Sequence, residues 1–174
     1  MKTLQEISDS IRDIIDFPKE GIIFKDITPI LHSPELFDST IDHLIDAVKD
    51  KEIDIICGIE SRGFLFGAAM AVKMGKGIVL IRKPGKLPYK TFKEEYALEY
   101  GTDSIEIHQD ALKEGDNVLI VDDLLATGGT ASAAAKLVEK CGAVPAKILF
   151  VIELGFLEGI KKLAGYDVKS LITY

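Results

Sequence analysis

The apolar positions of this chain follow a helical period near the N-terminus and a strand-like pattern further on. A T-x-x-E capping box begins at Thr3, and Pro18 and Gly21 interrupt the pattern that follows it. Apolar residues recur between them at helical spacing: Leu4, Ile7, Ile11, Ile14 and Ile15. The sequence therefore predicts a first helix that ends at Pro18 and Gly21, and a second that begins at Ser33 and Pro34.

Beyond residue 52, short apolar runs alternate with helical patterns. The predicted strands lie at 53–57, 77–81, 118–122, 146–154 and 168–173. Helical patterns follow the first and third of them, at 63–74 and from about Thr130 to Lys140. Near-continuous apolar strands that alternate with helices indicate a parallel sheet covered on both faces. We therefore predict an α/β fold with a doubly wound, mostly parallel sheet, whose strand-to-helix loops lie along one ligand-binding edge.

Residues 82–111 interrupt this alternation. The segment contains two prolines, four lysines and one arginine, followed by two strand-like runs around Gly101. A connection this long in a compact domain is usually a functional lid or disordered. We expect an exposed lid with an antiparallel hairpin, within a single domain that spans residues 1–174.

The composition restricts the class of protein. The 174 residues are 47% hydrophobic and carry a formal net charge of −7, which disfavours nucleic-acid binding because that needs a basic surface. The longest apolar run, FLFGAAMAV, is far shorter than the roughly 20 residues of a membrane span. The N-terminus lacks the apolar core of a secretory signal, and Cys57 and Cys141 suggest neither a disulfide framework nor a metal site. We expect a cytoplasmic protein without nucleic-acid or membrane partners.

The run VLIVDDLLATGGTA at 118–131 carries the clearest chemistry. After the predicted strand, residues 127–130 can turn amides and hydroxyls toward a phosphate, beside the positive end of the next helix. Asp122 and Asp123 would repel a bare phosphate, but they accept hydrogen bonds well from sugar hydroxyls. The run matches neither G-x-G-x-x-G nor the P-loop. It predicts a site for a sugar phosphate such as ribose 5-phosphate, and a purely structural turn explains the complete run less well.

The same run resembles the phosphoribosyl-pyrophosphate (PRPP) motif of the type I phosphoribosyltransferases. Further stretches resemble the adenine-using branch of that family in matching order: DFPKEGIIFKDITPIL, GIESRGFLFG, VLIRKPGKLP, YALEYG and VIEL. The resemblance implies transfer of the 5-phosphoribosyl group from PRPP to adenine, giving AMP and pyrophosphate. It also implies a small N-terminal hood over the base, a homodimer, and Mg²⁺ as a cofactor held mainly by ligand oxygens and water.

The resemblance gives each stretch a role in that reaction. The residues that would hold the 5-phosphate of PRPP and of AMP are Ala126, Thr127, Gly128, Gly129 and Thr130. Those that would bind pyrophosphate are Ser61, Arg62, Gly63, Arg82, Lys83 and Lys86. Those that would bind adenine are Ile23, Phe24, Lys25 and Leu157. The catalytic residues would be Glu99, Asp122 and Asp123, with the aspartates on the ribose hydroxyls and Glu99 beside the base nitrogens.

Simpler interpretations exist for several of these residues. Arg62 is also explained as a surface charge, the cations of 82–86 as a solvated face, and Glu99 as an exposed hairpin residue. A hydrolase elbow, G-x-S-x-G, is disfavoured because Ile59 stands at its first position and His108 is the only histidine that follows in the chain.

Two other functions stay open on the same fold. One is a phosphoribosyltransferase for another purine such as xanthine; hypoxanthine-guanine enzymes typically carry an aspartate where this chain has Ala126. The other is a non-catalytic PRPP-sensing regulator. Such a regulator would be expected to carry an added basic DNA-binding domain, for which an acidic chain of 174 residues leaves no room.

Overall fold

The computed structural model describes residues 1–97 and 101–174. The chain divides into two units, Met1–Asp46 and Ala47–Tyr174. The prediction of one domain over residues 1–174 stays a prediction. No helix in the described part of the chain is long and apolar enough to cross a membrane.

The first unit, which is described in full, combines helices with a two-stranded antiparallel sheet. Its elements are α1 (Leu4–Ser10), β1 (Arg12–Ile15), β2 (Ile23–Asp26), α2 (Thr28–His32) and α3 (Pro34–Asp46). The predicted capping box is present, because the Thr3 hydroxyl accepts a hydrogen bond from the Glu6 N–H and the Glu6 carboxylate accepts one from the Thr3 N–H. The second predicted helix is confirmed as α3.

The predicted end of the first helix, at Pro18 and Gly21, is wrong, because α1 already ends at Ser10. Ile11 has an extended backbone, with φ −71° and ψ 127°, and Ile14 and Ile15 lie in β1. β1 pairs with β2, with Ile14 opposite Phe24. The isoleucine spacing suited a helix, but β-branched residues also suit a strand. Backbone pairing with a distant segment therefore decided the conformation.

The second unit contains the parallel sheet and the helices that pack on it. Its described elements are β3 (Ile55–Ile59), α4 (Gly63–Met74), β4 (Gly77–Ile81), β5 (Thr91–Ala97), β6 (Thr102–His108), β7 (Asn117–Leu125), α5 (Gly129–Lys140), β8 (Val144–Glu153) and β9 (Val168–Thr173). Two 3-10 helices, Gly155–Leu157 and Gly159–Leu163, lie between β8 and β9. All five strands predicted for the parallel sheet are present, with ends that differ by three residues or fewer.

The sheet has the strand order β4-β3-β7-β8-β9, and every neighbouring pair is parallel. β7 lies at the centre, where Val118, Leu119, Ile120 and Val121 are all fully buried. Strands that are covered on both faces need apolar residues at consecutive positions, which is why these strands appear as continuous apolar runs. The predicted α/β fold with a doubly wound, mostly parallel sheet is confirmed.

The hairpin predicted within residues 82–111 is also present. β5 and β6 are antiparallel, with Thr91 opposite His108. The backbone of Arg82, just past the end of β4, exchanges hydrogen bonds of 2.9 and 2.7 Å with the backbone of Glu106 in β6. The hairpin therefore contacts the parallel sheet at the carboxyl end of β4, which is the edge where ligands of such sheets bind.

Candidate active site

The loops that follow β3, β4 and β7 meet at the carboxyl ends of these adjacent strands. These loops and the last part of β7 line a cavity of about 400 Å³, formed by Glu60, Ser61, Arg62, Lys83, Asp122, Asp123, Leu124 and Thr130. A smaller cavity of about 80 Å³ shares Asp122, Leu124 and Thr130 with it and extends along the Gly-rich loop, residues 126–130. Residues from the predicted pyrophosphate, ribose and 5-phosphate sets thus lie around two adjoining cavities.

The Gly-rich loop turns the chain from β7 into α5. Gly128 has a left-handed backbone, with φ 78°, that residues with side chains rarely adopt. Gly129 opens α5, so the N–H groups of the first helical turn face the loop at the positive end of the helix dipole. All five residues predicted to hold the 5-phosphate line the smaller cavity. A backbone cradle at a helix N-terminus is well suited to a phosphate.

Asp122 and Asp123 lie within β7 and not at its end, because the strand continues to Leu125. Asp122 is partly buried, and its Oδ1 accepts a 2.8 Å hydrogen bond from the Asp123 N–H; Asp123 is only 4% exposed. Burial raises the pKa of Asp122 well above its ordinary value, and the neighbouring Asp123 carboxylate raises it further. Burial likewise raises the pKa of Asp123, although Arg62 acts in the opposite direction.

Arg62 joins the loop after β3 to this carboxylate pair. Its Nε donates to Asp123 Oδ2 at 2.7 Å. Gly63, the next residue, begins α4 so close to β7 that a Cβ there would lie 2.6 Å from the Val121 carbonyl oxygen and 2.9 Å from Asp122 Oδ1. A side chain at position 63 would therefore push the loop away from the aspartates. The structure brings the predicted pyrophosphate loop into direct contact with the predicted ribose carboxylates.

Glu60 is a residue of this site that the sequence reasoning missed. Its carboxylate accepts hydrogen bonds from Arg82 Nε at 3.2 Å, from the Lys83 N–H at 2.9 Å and from Lys86 Nζ at 2.5 Å. Burial alone would raise the pKa of Glu60, but the hydrogen bonds from Lys86, Lys83 and Arg82 outweigh it and hold the pKa below its ordinary value. A carboxylate directly after a buried strand, beside an expected anion site, was the available signal.

Lys83 connects the hairpin to the site. Its Nζ donates to the Tyr96 hydroxyl at 3.0 Å and forms an ion pair with Asp103. Tyr96 and Asp103 lie directly opposite each other in the β5–β6 register. Burial lowers the pKa of Lys83, but the hydrogen bond to Asp103 and the contact with Tyr96 raise it more, so the ammonium stays charged. Sequence reasoning missed both partners, since no local pattern marks them.

The four predicted pyrophosphate cations do not occupy equivalent places. Arg62 and Lys83 line the cavity, whereas Arg82 and Lys86 are not among its lining residues. Arg82 also donates to the Lys86 carbonyl oxygen at 3.3 Å, and its guanidinium lies 5.9 Å from the centre of the Phe64 ring. Arg82 and Lys86 thus hold the 82–86 turn together through Glu60.

The residues predicted to bind adenine lie in both units. In the first unit, Ile23 is 54% exposed, the Phe24 ring meets Phe17 edge to face at 5.2 Å, and Lys25 Nζ pairs with Asp13 at 2.7 Å. A cavity of about 620 Å³ in that unit contains none of the predicted site residues; it is lined by Arg12, Thr28, Pro29, Leu31 and His32.

Two further residues were predicted to lie near the base, Leu157 and Glu99. Leu157 is half-buried and ends a 3-10 helix of the second unit. The predicted proton-transfer residue, Glu99, lies outside the described residues.

Within residues 1–97 and 101–174, no group of three or more His, Cys, Asp or Glu side chains is arranged to hold a metal ion.

Comparison with known proteins identifies the class of this site. The phosphoribosyl transferase domain family matches residues 27–170. An adenine phosphoribosyltransferase of Thermotoga sp. (strain RQ2) is 57% identical over 164 residues, which are 94% of this chain and 96% of that protein. The crystal structure of the adenine phosphoribosyltransferase of Thermoanaerobacter pseudethanolicus is 56% identical and superposes with a TM-score of 0.97, covering 99% of this chain and all of that one.

A more distant relative carries ligands. The adenine phosphoribosyltransferase of Saccharomyces cerevisiae was solved in complex with adenine and D-2,5-dideoxy-2,5-imino-altritol 1,6-bisphosphate. It is 46% identical, with a TM-score of 0.91 and 97% of each chain covered. The chain therefore belongs to the phosphoribosyl transferase family. Within that family, relatives that match it over nearly its whole length are adenine phosphoribosyltransferases.

Proposed function

We propose that the protein transfers the 5-phosphoribosyl group from PRPP to adenine, giving AMP and pyrophosphate, and so serves purine salvage. The observation that carries this proposal is a pair of adjoining cavities that share Asp122, Leu124 and Thr130: the Gly-rich loop lines one, and the Asp122–Asp123 pair and two cations line the other. PRPP carries a phosphate, a ribose diol and a pyrophosphate in that order. The identity to adenine phosphoribosyltransferases over almost the full length supports adenine as the acceptor.

The Gly-rich loop and the start of α5 would hold the 5-phosphate, which fixes one end of PRPP. Backbone N–H groups and the helix dipole would bind this phosphate equally in PRPP and AMP, so their role is to position the ribose. Asp122 and Asp123 would accept hydrogen bonds from the ribose hydroxyls. As pyrophosphate leaves, the ribose ring gains positive charge, and negative carboxylates next to it would stabilise the transition state.

Arg62 and Lys83 would bind the pyrophosphate as it departs. Both line the cavity, and both are cations near neutral pH that can neutralise charge on the leaving group. Ser61 and Gly63 would contribute backbone amides from the same loop, while Arg82 and Lys86 would shape the turn that carries Lys83. Removal of negative charge from the leaving group favours cleavage of the bond to the ribose.

The base would be bound by the residues that the family resemblance assigns to it. The main-chain groups of Ile23 and Lys25 would hydrogen-bond the purine edge, with Phe24 and Leu157 packing on its apolar faces. Glu99 would accept or donate the proton exchanged at the base nitrogens as the new bond forms. The support for these roles is the resemblance of the stretches IIFKD and YALEYG to the family, together with the yeast relative that was crystallised with adenine.

Mg²⁺ would enter as a complex with PRPP and not as a resident metal. The carboxylates of the site already have partners: Glu60 accepts three hydrogen bonds, Asp123 pairs with Arg62, and Asp122 accepts the Asp123 N–H. Mg²⁺ retains water readily and prefers phosphate oxygens. The ion would therefore be held mainly by pyrophosphate oxygens and water, where it offsets their charge.

The protein would act as a homodimer in the cytoplasm. One face of α4 carries apolar residues at helical spacing with much of their surface exposed: Leu65 at 45% and Val72 at 84%. An apolar helix face of this kind fits burial against a second copy. The two cysteines are free, and Cys57 is buried, which suits a reducing compartment.

The test of the proposed function is incubation with PRPP, Mg²⁺ and each purine in turn, while nucleotide formation is followed by chromatography. We expect AMP from adenine and little product from hypoxanthine, guanine or xanthine. Efficient reaction with xanthine but not with adenine would show that the acceptor base is another purine. Binding of PRPP without any nucleotide product would instead support a PRPP-sensing regulator.

A further inference from the structure

The Gly-rich loop packs backbone to backbone against Gly159, with no side chain between the two. A Cβ on Gly159 would overlap the carbonyl oxygen of Ala126 and lie 2.9 Å from the Gly128 nitrogen. In the reverse direction, a Cβ on Gly128 would overlap the carbonyl oxygen of Gly159 and lie 3.1 Å from its carbonyl carbon. Since the obstructing atoms belong to the main chain, neither side can relax by changing a rotamer.

Gly159 is also the end of a segment whose backbone is fixed at several points. The Leu154 N–H donates to the Leu125 carbonyl oxygen at 2.9 Å, and the Gly155 N–H donates to the Tyr174 carbonyl oxygen at 2.9 Å. Glu158 has a left-handed backbone, with φ 53°, that places Gly159 against the loop. Segment 154–159 is therefore a short stretch of backbone that is hydrogen-bonded to the last residue of β7 and packs against the Gly-rich loop.

We propose that Gly159 is a positioning residue for the 5-phosphate cradle, and that segment 154–159 holds the Gly-rich loop in the shape that binds this phosphate. The same segment carries Leu157, assigned above to the base. One rigid piece of backbone thus fixes the distance between the base and the 5-phosphate ends of the bound nucleotide. This inference rests on the proposed function, because both ends are defined by it.

The variant Gly159→Ala tests this role. The added methyl group must displace the backbone of residues 126–128, and a misplacement of about 1 Å in a positioning element costs up to about 100-fold in rate. We expect the KM for PRPP to rise about tenfold or more, and the affinity for ribose 5-phosphate, measured by calorimetry, to fall by a similar factor. The affinity for pyrophosphate, which meets the loop after β3, should change less than about twofold.

A matched control is Gly77→Ala at the start of β4, outside segment 154–159. Its Cβ would meet only the Ile55 side chain, at 3.7 Å, which is an ordinary van der Waals contact. We expect near-wild-type affinity for ribose 5-phosphate in this variant. If Gly159→Ala weakens ribose 5-phosphate and pyrophosphate binding alike, or if Gly77→Ala weakens ribose 5-phosphate binding as much, Gly159 has only a general structural role and the proposal is wrong.

A measurement on the unaltered protein is independent of whether Gly159→Ala folds. Ribose 5-phosphate should slow amide hydrogen exchange in residues 126–130 and also in residues 157–161, because the two segments move as one. Protection confined to 126–130 would overturn the proposal while leaving the proposed function standing. Absence of ribose 5-phosphate binding by the wild-type protein would overturn both.

Discussion

At the scale of single residues, the Asp122–Asp123 pair is the feature of the site that costs folding free energy. Removing two adjacent carboxylates from water disfavours their ionised forms, and both pKa values are accordingly raised. The ion pair of Asp123 with Arg62 compensates part of this cost. Residues kept in spite of such a cost are usually functional, because a neutral side chain of the same size would stabilise the fold.

The first prediction concerns Asp123→Asn, which keeps the size of the side chain and removes its charge. We expect kcat to fall about 100-fold or more, because the ribose loses a charged acceptor and the transition state loses a neighbouring negative charge. Steady-state kinetics with saturating adenine measures the effect, and circular dichroism checks the fold. The exposed Asp50→Asn serves as control. Wild-type turnover in Asp123→Asn would remove Asp123 from the catalytic set.

The second prediction concerns Glu60→Gln. An amide group in place of one carboxylate oxygen turns a donor toward Arg82 or Lys86, so the turn that carries Lys83 loses its anchor. We expect the affinity for pyrophosphate, measured by calorimetry, to fall about tenfold. Glu106→Gln is the matched control, since Glu106 accepts one hydrogen bond from the backbone of the same turn, at 3.2 Å. Equal or tighter binding of pyrophosphate by Glu60→Gln would contradict this role.

The third prediction concerns the free energy of unfolding. Since the pKa of Asp122 is raised in the folded chain, its ionisation lowers stability as the pH rises, and the penalty is absent below the ordinary aspartate value of 3.8. The variant Asp122→Asn keeps the acceptor for the Asp123 N–H and has no charge. We expect its melting temperature at pH 7 to exceed that of the wild type by a few degrees, with a smaller difference at pH 5. Calorimetry at both pH values, without PRPP, decides this; a gain that grows toward low pH would refute the assignment.

At the scale of elements, local sequence patterns predicted the bounds of strands that are buried on both faces and of helices that end at a glycine. β4 and β9 have the predicted bounds, and α5 begins one residue before the predicted start. These signals are local because burial fixes the apolar pattern and a left-handed residue such as Gly75, with φ 63°, fixes a helix end.

Features that depend on distant pairing could not be predicted in this way. The strand β1 was taken for helix because only its partner β2, eight residues beyond its end, distinguishes the two conformations. Tyr96 and Asp103 reach Lys83 through the register of a hairpin, and Glu60 reaches Lys86 across the gap between two strands. The motif at 118–131 and the family resemblance therefore predicted the kinds of group in the site, whereas the partners of each group required the fold.

At the scale of the whole molecule, the exposed apolar face of α4 is the surface expected to bring two chains together. β4, which follows α4, is an edge strand of the sheet, and Leu80 on it is 39% exposed. An isologous contact between two copies would cover both features with the same patch on each chain. Sedimentation of the wild-type protein should therefore give twice the monomer mass of 19.0 kDa.

The fourth prediction concerns Val72→Lys, which places a charge at the more exposed of the two apolar side chains named for this face. Because an unpaired charge in an apolar interface is strongly unfavourable, we expect the variant to sediment as a monomer at micromolar concentration. Val144→Lys is the control, since Val144 is 50% exposed at the start of β8, on a different element. A monomeric wild type, or a dimeric Val72→Lys, would show that the interface lies elsewhere.

The ion pairs of the site have a consequence for how the pyrophosphate product leaves. Arg62, Lys83 and Lys86 each pair with a carboxylate of the same chain: Asp123, Asp103 and Glu60. If Arg62 and Lys83 bind pyrophosphate as proposed, that binding exchanges one anion for another, and its free energy is the difference between two sets of ion pairs. Such an exchange depends only weakly on ionic strength for partly buried groups. On this proposal, the protein's own carboxylates would pair with the cations again as pyrophosphate leaves, which would favour release of this highly charged product.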